Sequence, residues 1–287
     1  MRPATRLVRG PKCGHDPYQA TAPPLYQSAT FAQTTATGFD AYDYSRTDNP
    51  TRRLVEEELA SLEGGHGALA YASGMAAVAA ALRLAPSGAR VLVGQDLYGG
   101  TERMLDRLDL EVVRVDTTDP TRWTDDLFAG AHLCYLESPS NPLMEVTDLW
   151  ALAHWTRRHG VVLVVDNTML SPWLQRPLEL GADLVVQSCT KHLAGHGDLT
   201  AGALIAREPA LLEPLALQRN AEGTALGPFD AWLLSRGLKT LGVRLERAQA
   251  TARRARWDCI SYPPDPGLCS CLRFCNGGRV RGLCRST

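Results

Sequence analysis

From residue 49 onward, short apolar runs alternate with stretches in which apolar positions recur every three or four residues. The runs GALAYA (67–72), ARVLVG (89–94), EVVRV (111–115), AHLCYLE (131–137), VVLVVD (161–166), ADLVVQS (182–188) and GALIA (202–206) are nearly continuous in Val, Leu and Ala. Runs of that length and content predict strands buried on both faces. Between them, the 3.6-residue pattern predicts helices in NPTRRLVEEELASLEGG (49–65), GMAAVAAALRLA (74–85), TERMLDRL (101–108), TDLWALAHWTRRHG (147–160) and SPWLQRPLEL (171–180). The first of these has Pro50 at its opening and Gly64 and Gly65 at its close, the usual start and stop signals. Residues 228–255 predict one long helix. Strand–helix alternation of this kind argues for an α/β fold, a mostly parallel sheet covered by helices on both faces, with ligands bound beyond the carboxyl ends of the strands.

The organisation expected is an N-terminal arm over 1–48, rich in turn formers and without sustained periodicity, then an α/β domain over 49–240. Residues 241–287 then form a linker helix and an aberrant remnant of a second domain. Composition narrows the function classes. The 287 residues are 45% hydrophobic and 21% charged, ordinary for a protein with a sizeable core. A formal net charge of −1 gives no bulk electrostatic case for nucleic acid or an anionic membrane surface. No apolar stretch follows the N-terminal arginines, and the longest run of Val and Leu, VVLVV, is far too short to span a bilayer. A cytoplasmic enzyme is the expectation.

Three features fall on the edge of the sheet where a ligand belongs. Asp166 follows VVLVV, Lys191 follows ADLVVQSCT, and SGMAA (73–77) is a strand-to-helix junction of small residues. Taken singly, each has an ordinary explanation: a solvated lysine, a capping aspartate, close packing at a glycine. Together, an amine, a buried acid and a helix N-terminus open to a phosphate match the needs of pyridoxal phosphate. The lysine bonds the cofactor covalently as a Schiff base. The aspartate keeps the ring nitrogen protonated, and the helix start takes the phosphate. Ser188 and Thr190 flank the lysine as further phosphate donors, and Tyr98 in DLYGGT supplies a ring to stack and a phenol to move protons. Rival chemistries fit less well. His192 and His196 are four apart, but the HExxH glutamate is absent, so no metal is expected. Ser188-Cys-Thr-Lys191 matches SxxK in letters, but the SDN and KTG partners are not found in order. Neither GxSxG nor a Walker P-loop occurs, and Cys189 reads as a small apolar filler.

These residues sit within longer motifs: TAPPLYQSATFAQ, YSRTDNPTR, YASGMAA, DLYGGT, ESPSNP, VVDNT, SCTKHLAGHGD and FDAWLLSRGLKTLGVRLERA, in that order from about residue 5 to 255. The chain resembles the cystathionine γ-synthase/γ-lyase family of pyridoxal-phosphate enzymes of cysteine and methionine metabolism. The resemblance implies a fold-type I aminotransferase-like architecture with its second, C-terminal domain largely missing here. It implies Lys191 as the Schiff-base lysine and, with Tyr98, as a catalytic residue. It assigns Asp166 to the ring nitrogen, Tyr98 to stacking, and Thr168 to a place near the ring. Gly74, Met75, Ser188 and Thr190 go to the phosphate, and Asn141 to the substrate carboxylate. Tyr44 and Arg46 would reach the phosphate of a neighbouring subunit, which implies a homo-oligomer, in the family a dimer of dimers. The implied reaction is elimination or replacement at the β- or γ-carbon of a sulfur amino acid or O-acyl homoserine. Cystathionine γ-lyase or γ-synthase is preferred, and O-acetylhomoserine sulfhydrylase or cystathionine β-lyase is the alternative. Gly100 in YGGT differs from the YGCT of typical methionine γ-lyases.

After about residue 255 the resemblance ends. RWDCISYPPDPGLCSCLRFCNGGRVRGLCRST carries Cys259, Cys269, Cys271, Cys275 and Cys284 without helix or strand periodicity. The cysteine spacing lacks the paired short gaps of a zinc knuckle, and disulfides would sit oddly in the cytoplasm. A shifted reading frame or a mis-joined end is the expectation, and with it a rival of another class: a non-catalytic remnant that binds cofactor or a partner subunit only. The arginine that holds the substrate carboxylate in the family has no counterpart in matching context among Arg273, Arg279, Arg281 and Arg285.

Overall fold

The computed structural model describes residues 3–9, 20–38 and 40–261. All seven expected strands form: β1 (Gly67–Tyr71), β2 (Arg90–Gly94), β3 (Glu111–Val115), β4 (Ala131–Glu137), β5 (Val162–Asp166), β6 (Leu184–Gln187) and β7 (Gly202–Ala206). They make one sheet in the order β1-β7-β6-β5-β4-β2-β3. Every neighbouring pair from β6 to β3 is parallel, whereas β7 runs antiparallel to both β1 and β6. The mostly parallel α/β architecture expected is therefore the one found.

The helices are α1 (Pro3–Arg9), α2 (Pro50–Glu63), α3 (Gly74–Leu82), α4 (Gly99–Leu105), α5 (Asp125–Phe128), α6 (Leu149–Arg158), α7 (Ser171–Leu174), α8 (Leu212–Glu222), α9 (Pro228–Leu238) and α10 (Leu241–Ser261). Strand alternation assigns them to two faces. One face presents Leu69, Tyr71, Val91, Val93, Leu133, Tyr135, Val164 and Val186 to Ala77, Val78 and Leu82 of α3, Leu105 of α4 and Leu215 of α8. The intervening Leu92, Leu136, Leu163, Val165, Val185 and Ile205 are equally buried and point the other way. There α2 and α6 cover the sheet, and a Cβ on Gly65, just after α2, would lie 2.5 Å from Ile205. Burial on both faces is why the strands other than the edge strand β3 read as apolar runs rather than as alternating ones.

Local chemistry explains the ends of α2. The Asn49 side chain accepts from the N–H groups of Thr51 and Arg52, Pro50 opens the helix, and Gly64 closes it at φ 78°. Elsewhere the structure departs from the periodicity. Within the expected arm, residues 3–9 are helical, with the Leu7 side chain buried. The stretch 171–180 keeps only the four residues of α7, because Pro177 cannot continue a helix and Gln175 is already extended. The long pattern 228–255 is split into α9 and α10 at Lys239 and Thr240, where the Thr240 N–H and hydroxyl both bond Gly237 O. Helix α8 is unannounced, since it buries only Leu215 and Arg219 and shows no apolar stripe. The chain divides into a unit running to Gly242 and a second beginning at Val243. The cysteine-rich stretch from residue 262 lies outside the described residues.

A buried polar cluster ties the first unit together. Glu56 pairs with Arg219 and lies 3.8 Å from Arg52, and Ala70 N–H donates to the same carboxyl at 2.8 Å. Arg52 in turn donates to the carbonyls of Ser45, Arg46 and Leu226, which fixes the arm against the domain. Removing one partner of a buried pair strands the other charge. Arg219→Leu is expected to cost about 3 kcal/mol, read as a lowered urea midpoint at unchanged m-value. A variant within about 0.5 kcal/mol of the parent would remove the cluster from the core's stability.

Candidate active site

At the carboxyl end of the sheet, β4 stops at Glu137, β5 at Asp166 and β6 at Gln187, with Glu137 opposite Asp166 and Asp166 opposite Val186 in the ladders. The first turn of α3 and the residue before α4 face the same edge. They enclose a cavity of about 490 Å³, a volume typical of ligand sites. Gly74 and Met75 line it from α3, Tyr98 from the start of α4, Asn141 from the loop after β4, Asp166 from the end of β5, Thr168 from just past it, and Ser188, Thr190 and Lys191 from the turn after β6. Nine of the residues singled out in the sequence thus share one cavity. Tyr44 and Arg46 do not line it. They lie on the exposed arm, the Arg46 guanidinium 5.3 Å from the Tyr44 ring centroid and Tyr44 bridged to Thr30.

Asp166 forms the floor. Its Oδ1 accepts from Thr168 N–H at 2.9 Å and its Oδ2 from the Tyr135 hydroxyl at 3.3 Å. Burial pushes its pKa up, and the Thr168 and Tyr135 hydrogen bonds oppose that rise. Among the described residues it makes no ion pair. Thr168 also stitches two strand ends together, because its Oγ1 accepts from Ser188 N–H at 2.8 Å.

The wall opposite is backbone. The Ser73 hydroxyl accepts from Ala76 N–H and its carbonyl from Ala77 N–H. That leaves Gly74 and Met75 N–H among the first-turn donors that no helical acceptor can satisfy. A Cβ on Gly74 would lie 2.8 Å from Ser188 Oγ, and one on Gly202 only 2.2 Å from Ser73 O. Glycine at both positions lets the α3 start, β7 and Ser188 close up into a cradle. Gly202→Ala is expected to cost about 1–3 kcal/mol by overpacking and to weaken binding of a phosphorylated ligand at this end. Unchanged melting and affinity would show that the cradle has slack.

Lys191 sits on a compact turn held by Lys191 N–H to Ser188 O, Ala194 N–H to Cys189 O and Gly195 N–H to Lys191 O. Cys189 and Leu193 anchor the turn in the core, and the lysine itself is exposed. Helix α9 backs it, because a Cβ on Gly237 would meet Ala194 O at 2.5 Å. The Cys189 thiol is pushed far up by burial, which suits the filler reading. The Thr190 hydroxyl, expected as a phosphate donor, bonds both the carbonyl (3.2 Å) and the N–H (2.9 Å) of Ala201. Here its one proton goes to the Ala201 carbonyl, just ahead of β7. His196 Nδ1 lies 2.7 Å from Ala194 O, and among the described residues no group of three or more His, Cys, Asp or Glu is placed to hold a metal ion.

Glu137 was not singled out in the sequence. Its Oε1 accepts from Tyr98 N–H at 2.8 Å, and the Asn141 N–H also bonds this carboxyl. Burial first, then the Asp166 charge, pushes its pKa up to about 8. One acid therefore holds the backbones of two expected site residues. The available signal was its register, level with Asp166 at the head of ESPSNP. The Tyr98 ring itself is half exposed, and a Cβ on Gly100 would lie 2.4 Å from its Cε1.

A model of the family described as Cys/Met metabolism PLP-dependent enzyme matches residues 4–257. The chain belongs to this family. It is 43% identical over 241 residues to a cystathionine beta-lyase of Staphylococcus haemolyticus, covering 83% of this chain and 62% of that protein. It is 40% identical over 258 residues to a cystathionine gamma-lyase of Bacillus subtilis, covering 88% of this chain and 68% of that one. A crystal structure of cystathionine gamma-lyase from Lactobacillus plantarum, complexed with L-serine, superposes with a TM-score of 0.86 at 37% identity, covering 92% of this chain and 70% of its own. The chain thus spans about two thirds of the length of these Cys/Met metabolism relatives. The family's pyridoxal phosphate fits the residues present: a glycine cradle for a phosphate, a buried acid without an ion pair for a protonated ring nitrogen, and an exposed lysine in the same cavity. Among the described residues no helix is long and apolar enough to cross a membrane.

Proposed function

We propose that the chain carries the cofactor half of an enzyme that eliminates or replaces a group at the β- or γ-carbon of a sulfur amino acid, of cystathionine γ-lyase or γ-synthase type. The observation that carries this reading is the convergence of Lys191, Asp166 and the first turn of α3 on one cavity. When bound, pyridoxal phosphate supplies an electron sink that acidifies the substrate Cα–H. Lys191 Nζ is the covalent anchor and, once released, the base that takes the proton from the substrate Cα and, for γ-chemistry, from Cβ. Asp166 holds the proton on the ring nitrogen. Gly74 and Met75 N–H, with the Ser188 hydroxyl, bind the phosphate. Thr168 keeps the Asp166 and Ser188 ends in register. Tyr98 covers the ring and protonates the leaving thiol, and Asn141 binds the substrate carboxylate. Both are set by Glu137.

The reading includes a cytoplasmic homo-oligomer in which Tyr44 and Arg46 reach a neighbouring site, supported by their exposure on the arm away from their own cavity. A monomer that binds cofactor at full affinity would remove that part. The activity test is a panel of cystathionine, methionine and O-acyl homoserine plus thiol, scored for thiol and 2-oxo acid release and for replacement product. Release from cystathionine supports the lyase type and a replacement product the synthase type. No turnover by a chain that holds the cofactor would favour the binding-only alternative.

A further inference from the structure

Behind the cavity wall lies a second polar group that none of these roles uses. Glu63, the last residue of α2, is 1% exposed, and Asn167 and Gln187 beside it are as deeply buried. None of the three lines the cavity. Asn167 Nδ2 donates to Glu63 Oε1 at 3.1 Å and to Gln175 O at 2.8 Å. Gln175 Nε2 returns a bond to Asn167 Oδ1 at 3.1 Å and reaches Ser138 O at 2.8 Å. Among the described residues Glu63 Oε2 and both polar atoms of the Gln187 amide have no partner at ordinary hydrogen-bond geometry, although that amide lies near enough to the Glu63 carboxyl to act on its charge as a hydrogen bond would.

The placement of this group sets it apart from ordinary core packing. Asn167 is the residue between Asp166 and Thr168, and Gln187 is the residue before Ser188. Successive side chains on a strand face opposite ways. The two residues therefore present to the α2 side while their neighbours present to the cavity. Apolar residues would fill such a site at no polar cost. A buried polar network instead demands one geometry. A protonated Glu63 can bridge the two amides, because Oε2–H donates to the Gln187 carbonyl while Oε1 keeps the Asn167 bond. Burial, the largest influence, pushes the Glu63 pKa up to about 8; the Asn167 and Gln187 amides and then Arg176 oppose that rise, Glu179 adds to it, and the Cys189 thiol also faces it.

We propose that Glu63 is a positioning residue for the cofactor site: by gripping Asn167 and Gln187 from outside the cavity it fixes the two strand ends that carry Asp166 and Ser188. The inference rests on the reading above, in which the cavity takes pyridoxal phosphate at Lys191. The test uses the 287-residue chain and titrates pyridoxal phosphate itself into the parent and into Glu63→Leu, Glu63→Gln and Lys191→Ala. It records the dissociation constant, the pH midpoint of the visible band and the melting point of the cofactor-free protein.

Glu63→Leu is expected to weaken binding about tenfold, the scale of a stranded buried polar partner, and to move the pH midpoint. Glu63→Gln, which keeps one acceptor and one donor, is expected to restore affinity to within about threefold. Parent-like affinity and midpoint in Glu63→Leu would overturn the proposal, as would equal damage from both replacements. Should Glu63→Leu not fold, Gln187→Met makes the same test from the other side, and its unchanged affinity would overturn the proposal equally. A visible band that persists in Lys191→Ala would overturn the underlying reading. A band lost there but unmoved in Glu63→Leu would overturn this inference alone.

Discussion

Lys191→Ala is expected to abolish the visible absorbance that pyridoxal phosphate gains on bonding to the protein, while the cofactor-free chain melts where the parent does. The side chain is exposed on a turn that backbone hydrogen bonds hold from Ser188 to Gly195, so truncation leaves that turn in place. The phosphate cradle of α3, Ser188 and Gly202 is untouched, so the cofactor still binds, more weakly and reversibly. Turnover loses both the anchor and the base, and a fall of about 10³-fold or more is expected, since a general base alone contributes about 10²–10⁴-fold. Added methylamine should return part of the rate if the amine is all that is missing. Retained absorbance and activity would identify another nucleophile.

The second large effect belongs to Asp166→Asn. The replacement keeps shape and hydrogen bonds, because the amide oxygen accepts from Thr168 N–H and the amide nitrogen meets the Tyr135 hydroxyl, which can accept as well as donate. Only the charge is lost. Cofactor affinity should fall modestly, within about tenfold, the scale of one charge-assisted bond. The rate of α-proton removal should drop by about 10²-fold or more, because nothing then holds a proton on the ring nitrogen. Hydrogen–deuterium exchange at the substrate Cα measures that step apart from later ones. Exchange at the parent rate would show that the ring works unprotonated here. A matching collapse in melting temperature would show that Asp166 serves the fold instead.

The sheet was legible because its strands, the edge strand β3 excepted, are largely buried on both faces, so Val, Leu and Ala run on with little polar interruption. The same rule exposed Lys191 and Asp166 as polar residues at the ends of apolar runs. What stayed hidden depends on contacts between segments distant in sequence. Glu137 looks like an ordinary motif residue until the Tyr98 N–H is found on it. Thr190 looks like a free hydroxyl until Ala201 is found at its side. Helix α8 buries too few side chains to show a stripe. The break between α9 and α10 turns on one threonine bonding back to Gly237. Nothing local to GALIA says that it runs antiparallel between β1 and β6, since both of its faces are covered just as theirs are.

That insertion of β7 governs when the site can exist. Among the described residues the first strand made pairs with the last, so this sheet closes only after the chain has been synthesised through Ala206. Before then β1 has no partner, and the Ser73–Gly74 backbone has neither Gly202 nor Ser188 against it. Such non-local pairing is slow, because the loop entropy is spent before the contact is gained. A ribosome-bound chain stalled before residue 202 should therefore not capture the cofactor however long it waits. One released past 206 should do so only as fast as β7 finds its slot, so cofactor uptake becomes a clock for the final step of folding.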